Sequence, residues 1–258
     1  MTDWRQHRRD RAKRRAAEFA LDHGHLTGVD LLRAAIDGPF KGEIAVASSF
    51  GAEAVALLAL AAEVDPATPV IFLDTGKLFD ETLAYRDLVI DRLGLTGVRL
   101  AGPDIVDIAA TDPGGALWRT NPDACCFLRK VTPMVQALTP YAAWVTGRKR
   151  FHGGERRDLP VIEAADGWVK LNPLAGWTKR DVFRFIAQRG LPRHPLLERH
   201  YVSIGCAPCT KPVTAEDGGI RDGRWAGSSK AECGIHLTSN VPIASAPGRP
   251  SDIAHEVG

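Results

Sequence analysis

Glu43-Ile44-Ala45-Val46-Ala47-Ser48-Ser49-Phe50-Gly51-Ala52-Glu53 decides how the chain is read. Glu43 to Ala47 is a short apolar run, as expected of a parallel strand buried on both faces. Ser48 to Glu53 is a loop of small and polar residues, and Ala54 to Glu63 is an alanine- and leucine-rich helix former. Strand, small-residue loop and helix N-terminus together outline an anion site, because the first-turn amides lack intrahelical partners and the helix dipole is positive there. The loop has no Gly-Lys-Ser/Thr and is not Gly-x-Gly-x-x-Gly, so neither common phosphate motif is present. An ordinary turn with a capping serine accounts for the same residues without any ligand.

The pattern then repeats. Pro69-Val70-Ile71-Phe72-Leu73 predicts a strand that runs into Asp74-Thr75-Gly76-Lys77, with a helix from about Phe79 to Leu93 and a third strand at Val98-Arg99-Leu100. A plain turn explains one such loop. Two of them after consecutive strands favour a nucleotide site, since ligands of open α/β sheets gather at the carboxyl ends of strands. Ala142 to Val145 predicts another strand, leading into Thr146-Gly147-Arg148-Lys149-Arg150-Phe151-His152-Gly153-Gly154-Glu155-Arg156-Arg157. Clustered Arg and Lys at a strand end suggest phosphate or sulfate recognition, above all at Arg148; a mobile solvated loop is the alternative. Trp168 to Leu171 is a further strand, and Thr178 caps a helix through about Arg189, stopped by Gly190-Leu191-Pro192. Upstream, residues 4–21 form a basic helix or frayed arm, and Val29 to Ile36 a short helix ended by Gly38-Pro39. The fold class is α/β with a parallel sheet.

The chain has five cysteines. Cys125 and Cys126 are adjacent, Cys206 and Cys209 form Cys-Ala-Pro-Cys, and Cys233 stands apart in Glu-Cys-Gly-Ile-His. Four thiolates in two pairs suit a tetrahedral zinc or an iron–sulfur cluster. Adjacent side chains diverge by about 100° on a helix, which a cubane with separate iron corners accepts more readily than one zinc ion does. A [4Fe-4S] cluster is therefore favoured over buried structural cysteines or disulfides. Lys130 is a candidate cation for that centre or its ligand, with a solvated helix lysine as the alternative. Cys233, near His236 and the basic Arg221 and Arg224, is a candidate nucleophile rather than an idle surface thiol.

With 258 residues, 45% hydrophobic and 25% charged, the composition is that of a globular domain with an ample core. A net charge of +2 argues against general nucleic-acid binding. No apolar run approaches the roughly 20 residues of a membrane span, and the N-terminus has no apolar leader. A cytoplasmic protein without membrane or nucleic-acid partners is expected.

The order Ser-Ser-Phe-Gly-Ala-Glu (48–53), Leu-Asp-Thr-Gly-Lys-Leu-Phe (73–79), Cys-Cys (125–126), Cys-x-x-Cys (206–209), Arg-Asp-Gly-Arg-Trp (221–225) and Lys-Ala-Glu-Cys-Gly-Ile-His (230–236) resembles the assimilatory adenylylsulfate reductases of the adenylylsulfate/phosphoadenylylsulfate reductase family. The resemblance spans roughly residues 43–237. It implies a Rossmann-like, adenine nucleotide alpha-hydrolase-like single domain with a C-terminal tail. The expected boundaries are 1–40 for an N-terminal helical segment, 41–237 for the catalytic domain and 238–258 for a flexible tail. It also implies a [4Fe-4S] cluster on Cys125, Cys126, Cys206 and Cys209, and Cys233 as nucleophile. Ser48, Ser49, Phe50, Gly51 and Glu53 match the family's modified pyrophosphate loop. Leu73, Asp74, Thr75, Gly76, Lys77 and Gly147 belong to its nucleotide side. Lys130, Arg148, Arg221, Arg224 and His236 fall on substrate-side positions. Many members carry arginine where Lys77 stands, which keeps the charge.

The implied reaction is reduction of adenylyl sulfate to sulfite and AMP through a cysteine S-sulfonate, with thioredoxin or a similar dithiol as donor; a homo-oligomer is left open. Members that read phosphoadenylylsulfate usually lack the cysteine pairs, so the unphosphorylated nucleotide is expected. The rival readings are a phosphoadenylylsulfate reductase, an ATP-pyrophosphatase-type sulfurtransferase or adenylyltransferase, and a non-enzymatic zinc module.

Overall fold

Among the described residues, six strands form one sheet in the order β3-β2-β1-β4-β6-β5. They are β1 (Ile44–Ser48), β2 (Val70–Leu73), β3 (Val98–Ala101), β4 (Ala143–Val145), β5 (Ile162–Ala165) and β6 (Trp168–Leu171). The computed structural model describes residues 4–213, 219–225, 230, 232 and 234–236. All neighbouring strands pair parallel except β5, which runs antiparallel to β6 at the edge. The predicted strands appear within a residue of their expected bounds. The additional strand β5 is joined to β6 by Asp166-Gly167, both with positive φ (53° and 93°), as a type I′ hairpin turn requires.

Alternation along each strand sends side chains to two separate layers. Ile44, Val46, Val70, Phe72, Ala143, Val145, Val169 and Leu171 face one core. It is covered by α2 (Gly28–Ile36), α3 (Ala54–Val64), α4 (Asp80–Leu93) and α9 (Lys179–Gln188), with Ala16 and Phe19 of α1 (Trp4–His23) joining the same cluster. Ala45, Ile71, Trp144 and Trp168 face the other core, closed by Met134 and Leu138 of α8 (Thr132–Leu138). Residues 16–40 thus share their core with the sheet. The basic stretch 4–21 is a helix held at fixed points: the Arg8 guanidinium lies 4.2 Å from the Trp168 ring centre and donates to the Tyr141 and Gly167 carbonyls, and Arg15 pairs with Glu43.

Between β3 and β4 the chain forms α5 (Ile105–Thr111), α6 (Leu117–Thr120) and α7 (Pro122–Cys126). A π-helical turn, Phe127–Val131, links α7 directly to α8. Asn121 caps α7 by accepting from the Ala124 amide at 3.0 Å, and Thr178 with Asp181 forms the predicted cap of α9 as a reciprocal box.

β1 and β4 are neighbours, but the chain leaves β1 through α3 on one face and reaches β4 through α8 on the other. That reversal opens a crevice at their carboxyl ends. Among the described residues, no helix is long and apolar enough to cross a membrane.

Candidate active site

A cleft of about 220 Å³ occupies this crevice. Its floor is the loop after β1. Phe50 takes a left-handed conformation (φ 47°) and is fully buried, its ring edge-on to Phe72 at 5.3 Å. Packing holds a non-glycine residue in that region of φ/ψ space, and Ser48 Oγ accepts from the Phe50 amide at 3.1 Å. The anchored phenylalanine leaves Ser48, Ser49, Gly51 and Glu53 on the cleft wall. Leu73, Thr75, Lys130, Gly147, Arg148, Arg221, Arg224 and His236 line the same cleft. Phe50 lies in the core. Asp74, Gly76 and Lys77 fall behind the wall, where Lys77 Nζ donates to the Gly115 carbonyl at 2.7 Å. Cys233 lies outside the described residues, but Glu232, Ile235 and His236 around it line the cleft.

The basic loop after β4 is an ion-pair lattice. Lys149 Nζ meets Glu53 Oε2 at 2.7 Å, Arg148 pairs with Glu163, and Arg156 grips Glu232 through Nε and NH2 at 2.7 and 2.9 Å. All three cations are buried. Burial works against the Glu53 carboxylate, but the hydrogen bond from His152 and the Lys149 charge outweigh it and bring its pKa down to about 2. Glu53, expected as a substrate residue, lines the cleft and also braces the cationic wall. Arg148 is likewise tied to a carboxylate. Arg224 lies flat against Gly205, donates to the Ile204 carbonyl at 3.3 Å and sits 4.6 Å from the Trp225 ring centre. His236 stacks on Trp144 at 5.7 Å, and its Nδ1 has no partner among the described residues. Burial first, then the charges of Lys170 and Arg148, push the His236 pKa well below the ordinary imidazole value.

The two cysteine pairs lie immediately beyond Thr75. Cys206 Sγ is 3.2 Å from Thr75 Oγ1, and the Ala207 amide donates to the Lys77 carbonyl at 2.8 Å. Arg129, on the π turn after the first pair, is the residue that sequence reasoning missed. Its NH1 donates to the Thr75 carbonyl at 2.8 Å and its NH2 pairs with Asp112 at 2.8 Å, with both side chains buried. This clamp draws the first pair against the loop that holds the second. Its sequence signal is spacing, since Arg129 stands one helical turn beyond Cys125.

Cys125, Cys126 and Cys206 are buried, and none of the four thiols is in a disulfide. Burial raises the Cys125 thiol pKa, against the pull of Arg129, and Cys206 is close enough to add to the rise. Burial, then Cys206, raises Cys209, with Lys130 and Arg224 opposing. Among the described residues, no three His, Cys, Asp or Glu side chains close to the geometry of a single bound metal ion. The four thiols fit an iron–sulfur cluster by donor chemistry: none is in a disulfide, Cys125 and Cys209 both lie near Cys206, and the charges of Arg129, Lys77, Lys130 and Arg224, which would offset a cluster's negative charge, reach these thiols.

An α/β sheet with a cationic crevice at its switch point is the arrangement of a nucleotide-binding enzyme. Within that class the chain belongs to the phosphoadenosine phosphosulfate reductase domain family, whose pattern matches residues 43–212. It is similar to a Mesorhizobium japonicum protein named adenosine 5'-phosphosulfate reductase, 46% identical over 225 residues covering 87% of this chain and 88% of that protein. A Gloeobacter violaceus protein named phosphoadenosine 5'-phosphosulfate reductase is 40% identical over 203 residues, covering 76% and 83% respectively. Among solved structures, the phosphoadenylyl-sulfate reductase from Candida auris, in a phosphate complex, matches with a TM-score of 0.63 and 26% identity, covering 77% of this chain and 96% of that one.

Proposed function

We propose that the protein reduces adenylyl sulfate to sulfite and AMP, with a dithiol protein such as thioredoxin as electron donor, in the cytoplasm. The observation that carries this reading is the convergence, on one cleft, of the Ser48–Glu53 loop, the cations Lys130, Arg221 and Arg224, and the residues that flank Cys233. The nucleotide's phosphate and sulfate would lie across the carboxyl ends of β1 and β4, where those cations offset their charge. The Cys233 thiolate attacks the sulfur: a sulfur–sulfur bond forms, the sulfur–oxygen bond to the phosphate breaks, and AMP leaves with the bonding electrons. A donor thiolate then attacks Cys233, sulfite departs, and the donor's second thiol closes its own disulfide and frees Cys233. The donor is oxidised by two electrons and the sulfur is reduced by two.

Cys125, Cys126, Cys206 and Cys209 would hold a [4Fe-4S] cluster. When bound, that group supplies a charged, polarisable centre beside the Thr75 end of the cleft. Lys130 lines the cleft and its charge also reaches Cys209, while the charge of Arg129 acts on Cys125. Ser48 and the other loop residues orient the nucleotide.

The relative named for the 3'-phosphorylated nucleotide supports a second substrate reading. Steady-state kcat/KM for the two nucleotides, with sulfite as the measured product, separates them. Preference for adenylyl sulfate is expected; a clear preference for the 3'-phosphorylated form moves the chain to the other subclass.

A further inference from the structure

One imidazole joins the floor of the cleft to the segment that bears residue 233. His152 Nε2 lies 3.1 Å from Glu53 Oε2, and Nδ1 lies 3.2 Å from Arg156 NH1. A guanidinium can only donate, so Nδ1 accepts, the ring proton sits on Nε2, and Nε2 donates to Glu53. The contacts on both sides therefore require the neutral ring in one tautomer. The opposite edge of Arg156 holds Glu232 through two hydrogen bonds, and Glu232 also accepts from Arg221 NH2 at 3.1 Å. A continuous path runs from Glu53, at the N-cap of α3, through His152 and Arg156 to the residue directly before Cys233.

We infer that His152 is a positioning residue for sulfur attack: its neutral ring fixes the Arg156 fork, which sets Glu232, the residue before Cys233 in the sequence. This rests on Cys233 being the nucleophile. A second ring proton would lie on Nδ1, facing the N–H groups of Arg156, and two donors cannot share that contact. The fork would then swing away and release Glu232. The groups facing the ring are Glu53, Lys149, Arg156 and the edge-on Phe151 ring at 4.5 Å. Burial holds the ring neutral most strongly, Glu53 opposes it, and Lys149 and Arg156 assist, so the His152 pKa falls below the ordinary 6.5. Glu53 stays ionised throughout, so within this path the acid-sensitive group is the imidazole.

The test is single-turnover formation of the cysteine S-sulfonate, with AMP release, by the full-length protein at saturating adenylyl sulfate from about pH 5 to 8. Wild type should lose rate on the acid side. His152→Gln retains both contacts, its amide oxygen accepting from Arg156 and its nitrogen donating to Glu53, without a titrating group. It should keep the wild-type rate at the alkaline end to within about threefold and lose the imidazole's share of the acid limb, leaving the shallower fall that protonation of the attacking thiol itself produces. His152→Leu fills similar space but makes neither contact, and should be slower by about tenfold or more at every pH while nucleotide Kd changes by less than about threefold. An acid limb in His152→Gln as steep as that of the wild type overturns the proposal, as does wild-type adduct formation by His152→Leu. If the wild type itself forms no adduct, the reductase reading falls and the positioning role falls with it.

Discussion

The Cys206 thiol lies 3.2 Å from the Thr75 hydroxyl. This contact ties the second cysteine pair to the loop after β2, whose Thr75 and Leu73 line the cleft. The same hydroxyl accepts from the Lys77 amide at 3.2 Å, so Thr75→Val removes two partners with little change in shape. Thr75→Val should lose about 1–2 kcal/mol of folding stability in urea unfolding and retain less iron. Unchanged unfolding and iron content would show that the contact contributes nothing.

Serine at Cys125, Cys126, Cys206 or Cys209 should lower bound iron and sulfite production together. Iron analysis and the visible spectrum of each purified variant provide the check. Full iron retention in all four single variants would remove the cluster assignment.

Cys233→Ser should keep its iron and bind adenylyl sulfate with wild-type affinity, yet release no sulfite. Incubating the wild type with the nucleotide and no reductant should leave a sulfonate on the peptide containing residue 233, measured by mass spectrometry. Normal turnover by the serine variant would exclude this thiol from the reaction.

Gly205→Ala should act like loss of Arg224. A Cβ at Gly205 would meet Arg224 NH2 at 2.2 Å, so the guanidinium must leave its place although its charge remains. A rise in substrate Kd matching one lost charge-assisted contact, about 1.5–3 kcal/mol, is expected for both Gly205→Ala and Arg224→Ala. Wild-type affinity in both variants would mean that the position of this arginine does not matter to the ligand.

Glu53→Gln tests the brace beneath the basic loop. The folded-state pKa of Glu53 is depressed from 4.5 to about 2, so its contribution is fully present above pH 4.5 and lost as the pH falls toward 2. In total that is about 3 kcal/mol. Urea unfolding should show this pH dependence in the wild type and not in Glu53→Gln. The variant should also be less stable at neutral pH, because the buried Lys149 loses its counter-charge. Identical pH profiles would refute the brace.

The strands β1, β2, β4 and β6 are readable from the sequence because each is buried on both faces and so is a short apolar run. β5 escapes that test. It is a four-residue edge strand with Ile162 and Glu163 half-buried and Ala164 exposed, although Asp166-Gly167 announces its hairpin. The short helices α5 and α6 bury no residue, and without a buried face there is no periodicity to detect. The loops around the cleft are legible for the opposite reason, since each directly follows a strand. Their electrostatics are not: Arg148 finds its carboxylate 15 residues away, Arg156 finds one 76 away and Lys149 one 96 away. No local pattern encodes such distances, so the basic run can be read from the sequence as anion-binding, but the carboxylates that pair with three of its cations cannot.

The π-helical turn at Phe127–Val131 has a further consequence. Such a turn amounts to one extra residue within a helix, and each residue rotates the remainder of the helix by about 100°. Upstream it fixes the bearing of Cys125 and Cys126; downstream it aims Met134 and Leu138 into the sheet. Deleting any one of these five residues would restore a regular helix and throw the two halves out of phase. Either the thiols or the core contacts would then turn toward solvent. The irregularity is therefore a gear between two faces of one helix, and a shorter, straighter version of this segment could serve only one of them.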